Sequence, residues 1–374
     1  MAPYLIITGI VTILTYVGSK YDKHGNRVLA FIPYVAAVLI LCNFAAQRDI
    51  TVGTDTVNYL TDYVYIIDKD FSIIYTEGTH LDRMETLYKV VLWFTANVLH
   101  SSYYFFFIMA LITVGTLFVA LRLIDIDCMP LGIFFFSIFF FPMSFNVMRQ
   151  YCAMSLTLLS YVFIRDKKLI PLILCSFIAY GFHNSSAICP VIIFIFVRLG
   201  HSDGKYKQLK IFCSIVAIAL GVLVLPQLLP SLLNDDNPYA HYLNTVTMKG
   251  GGLKRDFAEM FVFFSGLSLL NVLLTHNTND KKSLDTTPLF LMAMLGVVSY
   301  GLCIYSKWFY RISLYFLYFL IPLLPVASNN ISLKQDRTIY KAICVILILV
   351  FCYGYFISRG HDEIIPYIKT AIYY

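Results

Sequence analysis

Apolar residues run through this chain in blocks too long for a soluble core, each closed by a polar stretch. A helix needs about 20 residues to cross roughly 30 Å of hydrocarbon, and on that measure the pattern predicts about twelve spans. They are Ala2 to Gly18, Leu29 to Ala46, Tyr103 to Leu121, Pro130 to Phe145, Val147 to Ile164, Leu169 to Phe182, Ser186 to Val197, Ile211 to Leu229, Phe257 to Leu274, Pro288 to Tyr305, Tyr310 to Ala327 and Ile339 to Phe356. Most connections are short, but Gln47 to Ser102 and Pro230 to Asp256 are not. Inside the first, Thr86 to Leu99 is apolar on one side and carries Lys89 and Asn97, which predicts an interfacial or re-entrant helix rather than a crossing. The expected fold is an all-α polytopic membrane protein, a single integral domain over residues 1–374 with longer external loops at 47–102 and 230–256.

Composition agrees with the pattern. The chain is 59% hydrophobic and 13% charged, whereas about a quarter of a soluble domain is charged. The net charge of +6 reflects orientation in a bilayer and not a nucleic-acid partner. More than half of the 28 basic residues fall in the short loops around Lys23, Arg122, Lys167, Lys205, Lys281 and Lys334, which makes that side the cytoplasm. Asp49, Asp55, Asp62, Asp68, Asp70, Glu77, Asp82 and Glu85 all lie in the first long loop, on the opposite face together with both termini. The first span has no basic residue ahead of it and no small-residue cleavage pattern behind it, and reads as retained. The nine cysteines sit mostly in apolar runs without paired spacing, as small core residues.

One hairpin is short. About 30 residues, some 45 Å of helix, separate the basic groups at 165–168 and 198–210, while two crossings want about 60 Å. The turn His183-Asn184-Ser185-Ser186 is therefore expected to be recessed below the outer surface.

Candidate chemistry gathers at that outer end. Arg48, Arg149, Lys254, Arg255 and Arg311 stand where the charge rule disfavours them, at the outer ends of spans. An arginine fork suits phosphate oxygens, so several converging from different helices would form a diphosphate site; singly, each is also an interfacial snorkelling residue. Arg149 and Arg311 each open a long apolar helix with no acidic neighbour in sequence, and Arg255 follows Gly250-Gly251-Gly252 in the second loop. His183, Asp55 and Glu85 are the acid and base candidates. Asp55 lies in GTDT, where the alternative is an Asx turn. No HExxH, Cys/His cluster or P-loop is present, so no metal or cofactor is expected. Asp49 with Asp55 is the one pair suited to a divalent cation.

Arg48 followed by VGTDTVNY, Glu85 ahead of an amphipathic helix, NVMRQYCAMSL, GFHNSSAICP and YRISLYFLYFLIPLLP come in the order seen in Wzy-type polysaccharide repeat-unit polymerases. Over Gln47 to Pro325 the chain resembles the EpsG-like branch of that family. The resemblance implies a membrane fold like that of the C-type glycosyltransferases, in the bacterial cytoplasmic membrane with its active site on the outer face. It implies polymerisation of undecaprenyl-diphosphate-linked oligosaccharides into O-antigen, capsule or exopolysaccharide, among membrane lipids and alongside a chain-length regulator and a flippase. His183, Asp55 and Glu85 would then be catalytic, while Arg48, Arg149, Gln150, Arg255, Arg311, Tyr59 and Asn184 would hold diphosphate and glycan. A ligase would use the same donor chemistry. A flippase or transporter would carry mid-span charges and repeated halves, and these spans are nearly free of charge.

Overall fold

The computed structural model describes residues 1–200, 251–274, 286–304 and 308–374, except the side chains of 251–257, 271–274, 304 and 308. The expected span Ile211 to Leu229 and the second long loop up to Gly250 lie outside the described residues. Within them the regular structure is helical, and six helices are long and apolar enough to cross a membrane. Four shorter apolar helices accompany them. The chain divides into two units, Met1–Pro190 with Thr338–Tyr374, and Val191–Arg337.

In the first unit, α1 (Ala2–Lys23) and α2 (Arg27–Ala46) form a hairpin. Pro3 starts α1 where a missing N–H costs nothing, and the Asn26 side chain caps α2 at Leu29 N, 3.3 Å. The first long loop holds α3 (Thr56–Ile66), which the apolar pattern did not indicate, and α4 (Thr86–Asn97), where a helix is expected. Then come α5 (Ser102–Ile124), α6 (Met129–Phe135), α7 (Phe141–Met143), α8 (Met148–Arg165) and α9 (Leu169–Phe182). A π-helical turn, Phe136–Phe140, joins α6 to α7. Pro142 brings no N–H to this stretch, and the Ile138 carbonyl instead accepts the Cys352 thiol at 3.7 Å.

The polar connections of this unit collect at two ends. At one, Arg122 grips Asp22 through two hydrogen bonds of 2.6 and 2.9 Å, Lys23 pairs with Asp127, and Arg165 donates to Leu123 O at 2.9 Å. At the other lie the 47–55 loop, α4 and the His183 turn. The 14 residues of α9 rise only about 21 Å, less than the roughly 30 Å of hydrocarbon, and end at His183, the C-cap. After this turn α10 (Cys189–Gly200) leads into the second unit.

The segment following the last span returns to the same end. Asp49 N donates to Ile368 O and Thr370 N to Gln47 O, both at 2.9 Å, forming a short antiparallel bridge across Arg48 and Lys369. Tyr367 stacks on Phe44 with centroids 3.8 Å apart, and Tyr4 OH donates to Ile364 O at 2.9 Å. Tyr4, Phe44 and Phe145 close the core beneath.

The second unit contains α11 (Gly251–Leu274), α12 (Thr287–Gly301), α13 (Trp308–Leu317) and α14 (Leu320–Asn329), and α15 (Lys334–Cys352) leads back to the first. One sequence expectation changes here. Arg255 lies within α11 and not in a loop, because LKRDF contains no breaker and the helix of the apolar run propagates back through it. The span expected from Tyr310 to Ala327 is present as Phe309–Asn329, with a local turn at Tyr318 and Phe319, one helical turn before Pro322, whose ring and missing N–H disfavour regular helix there.

Candidate active site

Glu85 is the N-cap of α4, an end where a carboxylate is favoured by the helix dipole. Its Oε1 accepts from His183 Nδ1 at 2.8 Å and from the Asn184 backbone N–H at 3.3 Å, while its Oε2 pairs with Arg149 Nη1. The acidic neighbour that Arg149 lacks in sequence thus comes from a distant part of the chain. Residues from α4, the start of α8 and the turn after α9 meet at one carboxylate. Glu85 is only 6% exposed, whereas Arg149 and His183 keep 21% and 16%. Burial alone would raise the Glu85 carboxyl, but the hydrogen bond from His183 and the charge of Arg149 outweigh it and hold Glu85 below its ordinary range. An ionised Glu85 fixes the imidazole with its proton on Nδ1, which puts the acceptor lone pair on Nε2.

Close approach of two helices makes this convergence possible. A Cβ on Gly181 would lie 2.6 Å from Leu87 Cδ1, so the glycine lets α9 pack against α4 just beside Glu85.

A second cluster is built from the GTDT loop. Gly53 has φ +93°, a left-handed conformation, and a Cβ there would meet Asn146 Oδ1 at 2.7 Å. Asn146 Oδ1 accepts from Asp55 N at 3.4 Å, and its Nδ2 donates to Asp362 O at 3.0 Å. Gly53 N donates to Glu363 O at 2.9 Å. Asp362 has φ +65°, and burial raises its carboxyl to about 6. Tyr59 OH donates to Asn146 O at 2.8 Å and accepts from Met148 N at 3.2 Å, so this hydroxyl braces the chain between the two clusters. Asn146 and Arg149 are three residues apart and tie both clusters to the start of α8.

Arg48 is 2% exposed. It donates to Thr56 Oγ1 at 3.2 Å, Ala45 O at 2.7 Å and Met148 Sδ at 3.1 Å, and its guanidinium carbon lies 4.0 Å from the Phe106 ring and 4.7 Å from that of Phe145. A fork spent in this way fastens α2 to α3 and α8. This geometry does not carry the expectation that Arg48 meets a diphosphate; it makes the residue a buried staple.

Gln150 is buried in the first turn of α8 and Asn184 is exposed. Arg311 is exposed on α13 in the second unit, and the Arg255 side chain lies outside the described residues. The first unit therefore brings together His183, Glu85, Arg149 and Asn184, with Asp55 and Tyr59 in the adjoining cluster. Sequence reasoning missed Asn146, Tyr88, Asp62, His80 and Asp362. Tyr88 was open to inference, lying three residues after Glu85 on the same helical face. The Arg149 guanidinium carbon is 5.2 Å from its ring centroid.

Neither a curated protein nor a solved structure matches the chain significantly. The model of the EpsG family matches residues 31–368, a range that holds every residue of both clusters, and the chain therefore belongs to the EpsG family and is a membrane polysaccharide polymerase.

Proposed function

We propose that the protein joins undecaprenyl-diphosphate-linked oligosaccharides at the outer face of a bacterial cytoplasmic membrane, with the Glu85–His183–Arg149 cluster as its reaction centre. The supporting observation is an imidazole oriented by a buried carboxylate beside a partly exposed guanidinium. A hydroxyl of the incoming repeat unit attacks the anomeric carbon of the lipid-linked chain. His183 Nε2 takes the hydroxyl proton as the new C–O bond forms. The bond from the anomeric carbon to the diphosphate breaks, and undecaprenyl diphosphate leaves with the electron pair.

Arg149 faces the charge that develops on that leaving group. Its fork has five N–H donors, and Nη1 serves Glu85. Asp55, about half-buried beside Asn146, is the candidate for orienting acceptor hydroxyls. Arg311 and Arg255 are proposed as further diphosphate or glycan contacts on their charge alone.

The test is reaction of purified protein with its lipid-linked repeat unit, with products resolved by size. A ladder of multiples is expected. A single added block would make the protein a ligase, and no covalent product would favour transport.

A further inference from the structure

We propose that Asp62 is a positioning residue of this centre, acting on Arg149 through Tyr88. The kinetic part of the proposal rests on the polymerase reading above; the geometric part does not. Tyr88 is fully buried on α4, and its hydroxyl donates to Asp62 Oδ2 on α3 at 2.9 Å. The other oxygen, Oδ1, lies 3.1 Å from His80 Nε2, and the His80 ring meets Tyr65 edge-on at 4.3 Å. The Tyr88 ring in turn lies 5.2 Å from the guanidinium carbon of Arg149 and packs against Phe105 at 5.8 Å and Tyr59 at 6.3 Å.

A carboxylate taken out of water is costly unless its oxygens are hydrogen-bonded, and here both are. What those bonds fix is the far end of an aromatic ring. A tyrosine tethered at its hydroxyl has less freedom about its side-chain torsions, so the buried ring offered to Arg149 is held nearer one orientation. Arg149 is then held from two sides, by Glu85 at Nη1 and by the Tyr88 ring beside the guanidinium plane. Remove the tether, and only Glu85 directs the fork. A displacement of about 1 Å at a reacting group costs roughly a hundredfold in rate. Asp62 makes no hydrogen bond to His183 or Glu85; besides its bond to Tyr88, its charge acts on Arg149 directly, and Asp62→Asn removes that charge while keeping the acceptor for Tyr88, which separates the two routes.

A plain clamp between α3 and α4 would also use the Asp62–Tyr88 bond, and the experiment separates the two roles. Asp62→Ala, Asp62→Asn, Tyr88→Phe and the Asp62→Ala/Tyr88→Phe double variant are purified in detergent and compared as folded protein. Phenylglyoxal modification of Arg149 is followed by mass spectrometry, alongside kcat and KM for ladder formation. Asp62→Ala and Tyr88→Phe each modify Arg149 several-fold faster than wild type, and the double variant modifies it no faster than either. Asp62→Asn stays near wild type, because its amide oxygen still accepts the tyrosine hydroxyl. Turnover falls about tenfold in the two single variants with KM changed far less, as expected for a misoriented group. Unchanged modification of Arg149, or independent additive effects of the two substitutions, would overturn the proposal. A wild-type protein that makes no polymer would overturn the polymerase reading, while the modification rates would still decide the role of Asp62.

Discussion

One oxygen of Glu85 holds His183 Nδ1 at 2.8 Å while the other pairs with Arg149, so a single buried carboxylate sets the direction of both groups. Glu85→Gln keeps the shape of the side chain but replaces one oxygen by an N–H₂. The amide can then donate to Nδ1, which moves the imidazole proton to Nε2 and removes the acceptor where it is needed. Turnover should fall by about 10²- to 10⁴-fold, the usual worth of a positioned general base, with lipid-substrate binding nearly kept. His183→Gln should show the same pattern. Ladder formation per folded molecule, read beside binding of the lipid-linked substrate, checks both. A Glu85→Gln protein that polymerises normally would reduce the carboxylate to a helix cap.

The contact of Gly181 with Leu87 yields a prediction about geometry without changing any polar group. Gly181→Ala places a methyl 2.6 Å from Leu87 Cδ1. Leu87 lies two residues beyond Glu85, so the overlap pushes α4 off α9 and stretches the Glu85–His183 hydrogen bond. Activity should drop by at least about tenfold, given the steep dependence of such reactions on distance. Adding Leu87→Ala removes the obstructing side chain and should restore most of the loss. Failure of that second substitution to rescue would place the effect elsewhere.

Arg48 should behave as a folding residue. Its three hydrogen bonds and two aromatic faces are all supplied by the protein. Arg48→Ala leaves the Ala45 carbonyl and the Thr56 hydroxyl without this donor and opens space between Phe106 and Phe145. A loss of about 3 kcal/mol is expected from bonds and cation–π contacts of this kind. Arg48→Lys should recover little, since one ammonium cannot reach three acceptors fixed for a planar fork. Thermal unfolding and folded yield in detergent test this. Normal stability with weakened substrate binding would restore the diphosphate role.

How much of this was legible in the sequence follows from which interactions are local. A helix at Thr86–Asn97 and the shortness of the hairpin arm before His183 are counted directly from apolar runs, and the structure has both; six of the expected spans are present as helices long and apolar enough to cross a membrane. The candidates Glu85, Arg149 and His183 were singled out as polar residues at helix ends. Their meeting was not visible, because the contacts span 64 and 98 residues and depend on how α4, α8 and α9 pack. Arg48 resembled the other outer arginines in sequence and differs only in what surrounds it. The partner of the GTDT loop was hidden for a different reason: residues 360–374 carry no helical period and no motif, and only their docking shows that Asp362 and Glu363 sit against Asn146 and Gly53.

That docked segment gives the last prediction. Burial raises the Asp362 carboxyl from 3.8 to about 6, against opposing hydrogen bonds from Asn146 and Tyr355 and the charge of His361, while Asp55 adds to the rise. The sign of the consequence follows from linkage. A folded-state value above the unfolded one means that the native protein binds the proton more tightly, so ionising Asp362 opposes the docked state. Stability contributed by the protonated form is present below about 4, is lost as pH rises toward about 6, and stays lost above that. Asp362→Asn keeps the size of the side chain and tolerates the left-handed φ of +65° that this position requires, but it cannot ionise. The variant should unfold with wild type near pH 4 and at progressively higher temperature than wild type from there to pH 6, with a constant gap above. Thermal midpoints of both proteins across pH 4 to 8 test the difference, in which the other titrating groups cancel. A gap that does not change with pH would mean that Asp362 is already ionised at low pH and that its carboxylate is satisfied where it lies.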